Sequence, residues 1–210
     1  MKRNSMVIGG VIIVFLIALI ILAVTRVATD PTDVMIWKSP NGEHKIDILE
    51  LGDVTLYTTA VTVGSERFVY SFRYSPEEIN DILIVQDVRE FFKDRTGLYI
   101  TRDVEAGNIT GNLDFLALLE FKRVLEQSKT GLYNFPTALG LTTETEKSLL
   151  LEIPTVTCDD ADSKVGVIYV KLGETNQVYR EGDCLIVEGD SGDGLVMSAD
   201  KLSYTLLGLF

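Results

Sequence analysis

From Met6 to Thr25 the chain runs for 20 residues without a charged side chain, and nearly all of them are Val, Ile, Leu, Ala, Gly, Phe or Met. Coiled as an α-helix, a run of this length is roughly 30 Å long, which matches the hydrocarbon core of a bilayer. It has no polar face to turn toward water, as a surface helix of a globular fold would need. The run therefore predicts a membrane-spanning anchor, and the residues after it must form their own core. A cleaved secretory signal is the competing reading. Its apolar stretch is shorter, roughly 7 to 15 residues, and ends in small residues at the cut. Here Arg26 would stand where a small residue belongs before a cut after Ala28.

The flanking charges orient the anchor. Lys2 and Arg3 precede it, whereas Arg26 is followed by Asp30 and Asp33. By the positive-inside rule the N-terminal tip stays in the cytoplasm and the remainder is exported. The expected organisation is a tip and transmembrane helix over 1–28, a juxtamembrane linker over 29–42 with Pro31, Trp37 and Pro40, and an extracytoplasmic α/β domain over 43–210. A domain of that length buries a sizeable core.

Two further features agree with export. Cys158 and Cys184 are the only cysteines, an even count that suits a single disulfide in an oxidising compartment, although a pair of buried thiols satisfies the same count. Such a bridge closes a 27-residue loop and stabilises the fold by on the order of 3 kcal/mol. Asn108-Ile109-Thr110 is a glycosylation sequon in a stretch expected to be a surface loop, and Asn108 is the candidate acceptor. A lone sequon also arises by chance.

Charge excludes one class of partner. With 31 acidic against 19 basic residues the net charge is −12, and Lys2, Arg3 and Arg26 flank the anchor, so the domain is more acidic still. Such a surface repels phosphate backbones and anionic headgroups, which argues against nucleic-acid binding and peripheral lipid binding.

Periodicity gives the domain's elements. Alternation over 43–51, 54–63 and 66–74, interrupted by Gly52-Asp53 and Gly64-Ser65, predicts an antiparallel meander. Ser75-Pro76-Glu77-Glu78 is a capping box that opens a short helix or turn. Strands are expected near 82–85 and 98–101, a loop over 103–111, and a helix over 112–127 with an apolar face through Leu116, Leu119 and Phe121. Beyond these, 149–157, 165–172 and 184–188 read as strands, and 195–207 reads as a closing helix. The strand at Leu98 and the strand at Cys184 are each followed by a Gly/Asp loop and a helix. Two such units imply an α+β or α/β fold: a mixed sheet with two main helices packed on it.

No motif carries chemistry through. Gly189-Asp190-Ser191-Gly192 matches the neighbourhood of a serine-protease nucleophile, but the one histidine, His44, lies far away in the sequence without a local motif. The loop reads instead as a helix cap, and its aspartates would repel a phosphate. Asp159, Asp160 and Asp162 gather oxygen ligands of the kind that bind calcium, but without the Gly and the distal Glu of an EF-hand, so a solvated turn is the expectation. No catalytic residue, cofactor or metal is assigned.

The segments Thr157–Asp160, Gly166–Leu172, Glu181–Gly189 and Ala199–Leu202 resemble the closing part of membrane-anchored cell-surface proteins of archaea, including the S-layer-like group. There a cysteine pair, a short strand and a final amphipathic helix recur. The resemblance covers about a quarter of the chain, residues 157–210, and implies a cell-surface setting without an established activity. The expected function is a single-pass, membrane-anchored domain that contacts envelope or surface proteins. The alternatives are an exported hydrolase or ligand-binding domain, using the loops after the Leu98 and Cys184 strands, and an accessory subunit of a secretion or pilus complex.

Overall fold

The chain divides into two units, 1–35 and 36–210. The computed structural model describes the backbone of 36–38 and residues 45–126 and 131–210, all within the second unit. The expected anchor at Met6–Thr25, most of the expected linker and His44 lie outside the described residues. Among the described residues no helix is long and apolar enough to cross a membrane.

The first sheet is an antiparallel meander in the order β1 (Ile36–Lys38), β2 (Lys45–Leu51), β3 (Val54–Val63) and β4 (Glu66–Phe72). Its three longer strands fall where alternation places them. β1 is an addition, because Ile36–Lys38, expected within the linker, pairs with β2. Gly52 and Gly64, both at φ +62°, take the first central position of two-residue turns, where a residue with a Cβ is strained. Register then sorts the faces. Ile46, Thr59 and Tyr70 stand side by side and are buried, while Val69, one residue before Tyr70 in β4, is exposed.

The second sheet is mixed. It comprises β5 (Leu83–Ile84), β6 (Gly97–Arg102), β7 (Thr137–Leu141), β8 (Val165–Leu172), β9 (Gln177–Glu181) and β10 (Cys184–Gly189), in the spatial order β5-β9-β10-β8-β6-β7. β10, β8, β6 and β7 run parallel; β9 is antiparallel to β10. Among the described residues four α-helices complete the fold: α1 (Ala106–Thr110), α2 (Leu113–Leu125), α3 (Glu146–Leu150) and α4 (Gly192–Leu207). The result is a mixed α+β fold whose two main helices, α2 and α4, pack on each other and on the mixed sheet.

Three segments depart from expectation. The strand expected over 149–157 begins instead as α3, because Thr145 and Ser148 form a reciprocal capping box that nucleates a turn at Glu146. Only its far end is extended, where Thr155 bridges to Leu141. The loop expected over 103–111 contains α1, closed by Gly111 in the left-handed conformation. β9, for which no strand is expected, pairs antiparallel with β10 and lies between it and β5.

Alternation along β6, β8 and β10 divides the core in two. Leu98, Ile100, Ile168, Val170, Leu185 and Val187 join α2 and α4 in the main cluster, while Val167, Cys184 and Ile186 face the other way. α4 is buried on nearly every side, since the mixed sheet covers one face and the meander reaches the other. Phe72 of β4 packs on Tyr204 of α4 with ring centroids 4.2 Å apart. Polar residues of α4 tie the layers together. Asp200, fully buried, accepts the backbone amides of Arg73 and Tyr74 through Oδ2 at 3.0 Å each. The Tyr204 hydroxyl donates to the Tyr74 carbonyl at 3.1 Å.

Candidate functional site

Because β6, β7, β8 and β10 are parallel, their carboxyl ends converge on one edge of the sheet, where open α/β sheets form their sites. The two loops singled out from sequence, after the Leu98 strand and after the Cys184 strand, therefore share an edge, with the end of β8 between them.

Asp103, just past the end of β6, joins the end of β7 to the middle of β8. Its Oδ1 accepts the Tyr169 hydroxyl and the Thr142 hydroxyl, each at 2.7 Å. Burial and then the Asp103 carboxylate hold the Tyr169 phenol far above its ordinary range, so it stays a donor. Across β8, Glu188 is nearly buried and receives Tyr179 Oη at 3.1 Å and Gln177 Nε2 at 3.3 Å, with Lys171 Nζ 3.4 Å away. Burial pushes its carboxyl up, but these donors outweigh burial and leave it below its ordinary range. Glu188 thus has partners on both carboxylate oxygens, whereas the Asp103 partners share Oδ1.

The Gly-Asp-Ser-Gly loop is committed to its own helix. Ser191 Oγ accepts the Gly194 amide at 3.0 Å as the cap of α4 and donates to Asp190 Oδ1 at 2.9 Å. Asn176 Oδ1 accepts the Asp190 amide at 2.9 Å. Asp193 Oδ1 accepts the Tyr74 hydroxyl at 3.1 Å. The glycines serve close approach: a Cβ on Gly189 would lie 2.2 Å from the Leu195 nitrogen. The serine hydroxyl thus faces a carboxylate and an amide.

Cys158 and Cys184 form a disulfide. Cys184 is buried on β10, and Cys158 opens a 3-10 turn, so the bridge straps the segment before β8 across the sheet face opposite α2 and α4. In the acidic turn, Asp160 accepts the Thr157 amide at 2.8 Å, and Asp162 Oδ1 accepts the amides of Lys164 and Val165 at 2.6 and 2.7 Å. Those two amides hold the Asp162 carboxyl below its ordinary range. Among the described residues no group of three or more His, Cys, Asp or Glu side chains is placed to hold a metal.

Asn108 is exposed on α1 rather than in a loop, and its sequon partner Thr110 donates its hydroxyl to Asp114 Oδ1 at 2.7 Å. Asp114 is fully buried and forms an ion pair with Arg102 Nη1. That pair adjoins a feature to which no sequence pattern points, a cavity of about 340 Å³ between the end of β7, the first turns of α2 and the segment following α3. Arg102 and Phe115 line it, with the guanidinium carbon 5.6 Å from the ring centroid, and Leu139, Leu151 and Ile153 complete an apolar wall. A neighbouring hollow of about 390 Å³ over the same strand ends carries Asp103 and Glu105 instead. Spacing could not reveal the cavity, because its walls come from four separate segments.

No protein-family model, curated protein or solved structure matches this chain.

Proposed function

We propose that this chain is a membrane-tethered domain held outside the cytoplasm, where it contacts other envelope or surface components. The observation that carries the reading is the Cys158–Cys184 disulfide, since such bridges persist in oxidising compartments and are rare where thiols are kept reduced. The charge-free run Met6–Thr25, with Lys2 and Arg3 before it, supplies the tether and its orientation. The commitment of Ser191 to capping α4, with its hydroxyl donated to Asp190, favours contact over turnover at that loop. An archaeal cell surface is the setting that the resemblance of residues 157–210 suggests. A ligand-binding domain in the same compartment is the second reading, favoured by the Arg102 cavity.

The test is labelling of intact cells with a membrane-impermeant thiol reagent, with and without prior reduction, combined with protease shaving. Labelling only after reduction, together with loss of the domain on shaving, is the expected result. Free thiols, and a domain cut only after lysis, would reverse the topology and end the proposal.

A further inference from the structure

We propose that the Arg102 cavity binds a monocarboxylate carried on an apolar body, such as an aliphatic acid, with the guanidinium gripping the carboxylate and the cavity wall covering the chain. In size the cavity, at about 340 Å³, falls in the range of small-ligand sites. Charge sets it apart more sharply. In a chain of net charge −12, its lining includes Arg102 and Lys147 and no carboxylate.

Chemistry then selects the ligand. Arg102 uses Nη1 on Asp114, while its Nε and Nη2 have no protein partner among the described residues. Two donors of a planar guanidinium fit the two oxygens of a carboxylate. Asp114, itself held by Thr110, fixes the guanidinium against Phe115, so little ordering remains for binding to complete. The wall of Leu139, Leu151 and Ile153 suits hydrocarbon. Phe115 and Leu151 are also more exposed than a packed core would leave them, at 39% and 55%. A ligand chain lying along them removes that apolar surface from water. The proposal stands whichever compartment holds the domain.

The probe is octanoate, titrated into full-length protein in lipid nanodiscs and followed by the methyl resonances of Leu139 and Ile153. Octanamide, of the same shape but uncharged, serves as control for partition into lipid. Octanoate should shift these methyls saturably and octanamide should not. Removing the ion pair as a unit, in Arg102→Gln/Asp114→Asn, should weaken octanoate by at least about tenfold, the loss expected for charge-assisted hydrogen bonds. Should that double variant fail to fold, Lys147→Glu decides, because an exposed residue at the mouth leaves the core intact and the inverted charge should also weaken octanoate severalfold. Equal shifts with octanoate and octanamide, no saturable shift with octanoate, or unchanged affinity in the folded variants would each overturn the proposal.

Discussion

Asp200 illustrates how a single side chain joins distant parts of the chain. One carboxylate oxygen accepts two amides from the segment after β4, while Oδ1 is buried without a hydrogen-bond partner. Burial first, and then the nearby Glu120 carboxylate, push the Asp200 carboxyl well above its ordinary value; the two amides and Arg123 offset only part of this. The folded state thus holds this proton more tightly than the unfolded chain does. Between the unfolded value, about 3.9, and the raised folded value the native state binds more protons, so this residue's contribution to stability falls as pH rises through that window. Glu120, also raised by burial, acts in the same direction. Asp200→Asn keeps an acceptor for both amides and removes the titration. Its stability relative to the parent should therefore improve as pH rises above about 4, measured by thermal unfolding at a series of pH values. A difference that stays constant with pH would show that Asp200 does not titrate this way. Ser191 allows a simpler expectation. Replacing it with Ala removes the acceptor for the Gly194 amide and should cost about 1 kcal/mol in denaturant unfolding. A loss far larger than that would mean the hydroxyl does more than cap. Of these residues, only the Ser191 cap was legible in the sequence, because a cap acts within four residues. Asp200 meets its partners 126 and 127 residues away, and no local pattern encodes such a distance.

Among the elements, those whose burial follows one period could be read directly. β8 spans the Val165–Leu172 expected from alternation, and α2 lies within 112–127, because one stripe of it faces the core. α3 stands where a strand is expected, for a physical reason. Leu149, Leu150 and Leu151 look like a buried strand, yet they are 62%, 82% and 55% exposed, so composition pointed inward while the Thr145–Ser148 cap had already begun a helix. The disulfide is an element-scale constraint as well, since it fastens the strap before β8 to the central strand β10. In the chain-entropy account, joining residues 26 apart restricts the unfolded chain by about 3 kcal/mol. Reduction, or Cys158→Ser with Cys184→Ser, should lower the denaturant midpoint by a corresponding amount. The loosened strap should show first as faster amide exchange around Val156. If the midpoint were unchanged, the strap would be held by packing alone.

For the molecule as a whole, the central question is whether the meander is an appendage or part of the core. Its inner face supplies Ile46, Tyr70 and Phe72 to the same cluster as Leu185 and Val187 of the mixed sheet, with α4 between them. Arg123 of α2 also donates to the Ser71 carbonyl at 2.8 Å, so both main helices hold β4. The meander has one apolar face, and that face lies against the helices rather than in water. Most of its stabilisation must come from the face pressed on the helices. The helices in turn depend on the meander, because without it α4 would expose Tyr204 and lose the amide donors that Asp200 accepts. This mutual dependence predicts a single cooperative unit. Phe72→Ala, which opens a cavity against Tyr204, should cost about 3–5 kcal/mol. Because the loss is shared, amide exchange should speed up in β10 as much as in β3, and unfolding should remain one transition. Exchange that quickened in β2–β4 alone, with β10 as protected as before, would instead make the meander a separately folding layer. The mixed sheet, with the Arg102 cavity at its edge, would then be the minimal functional body.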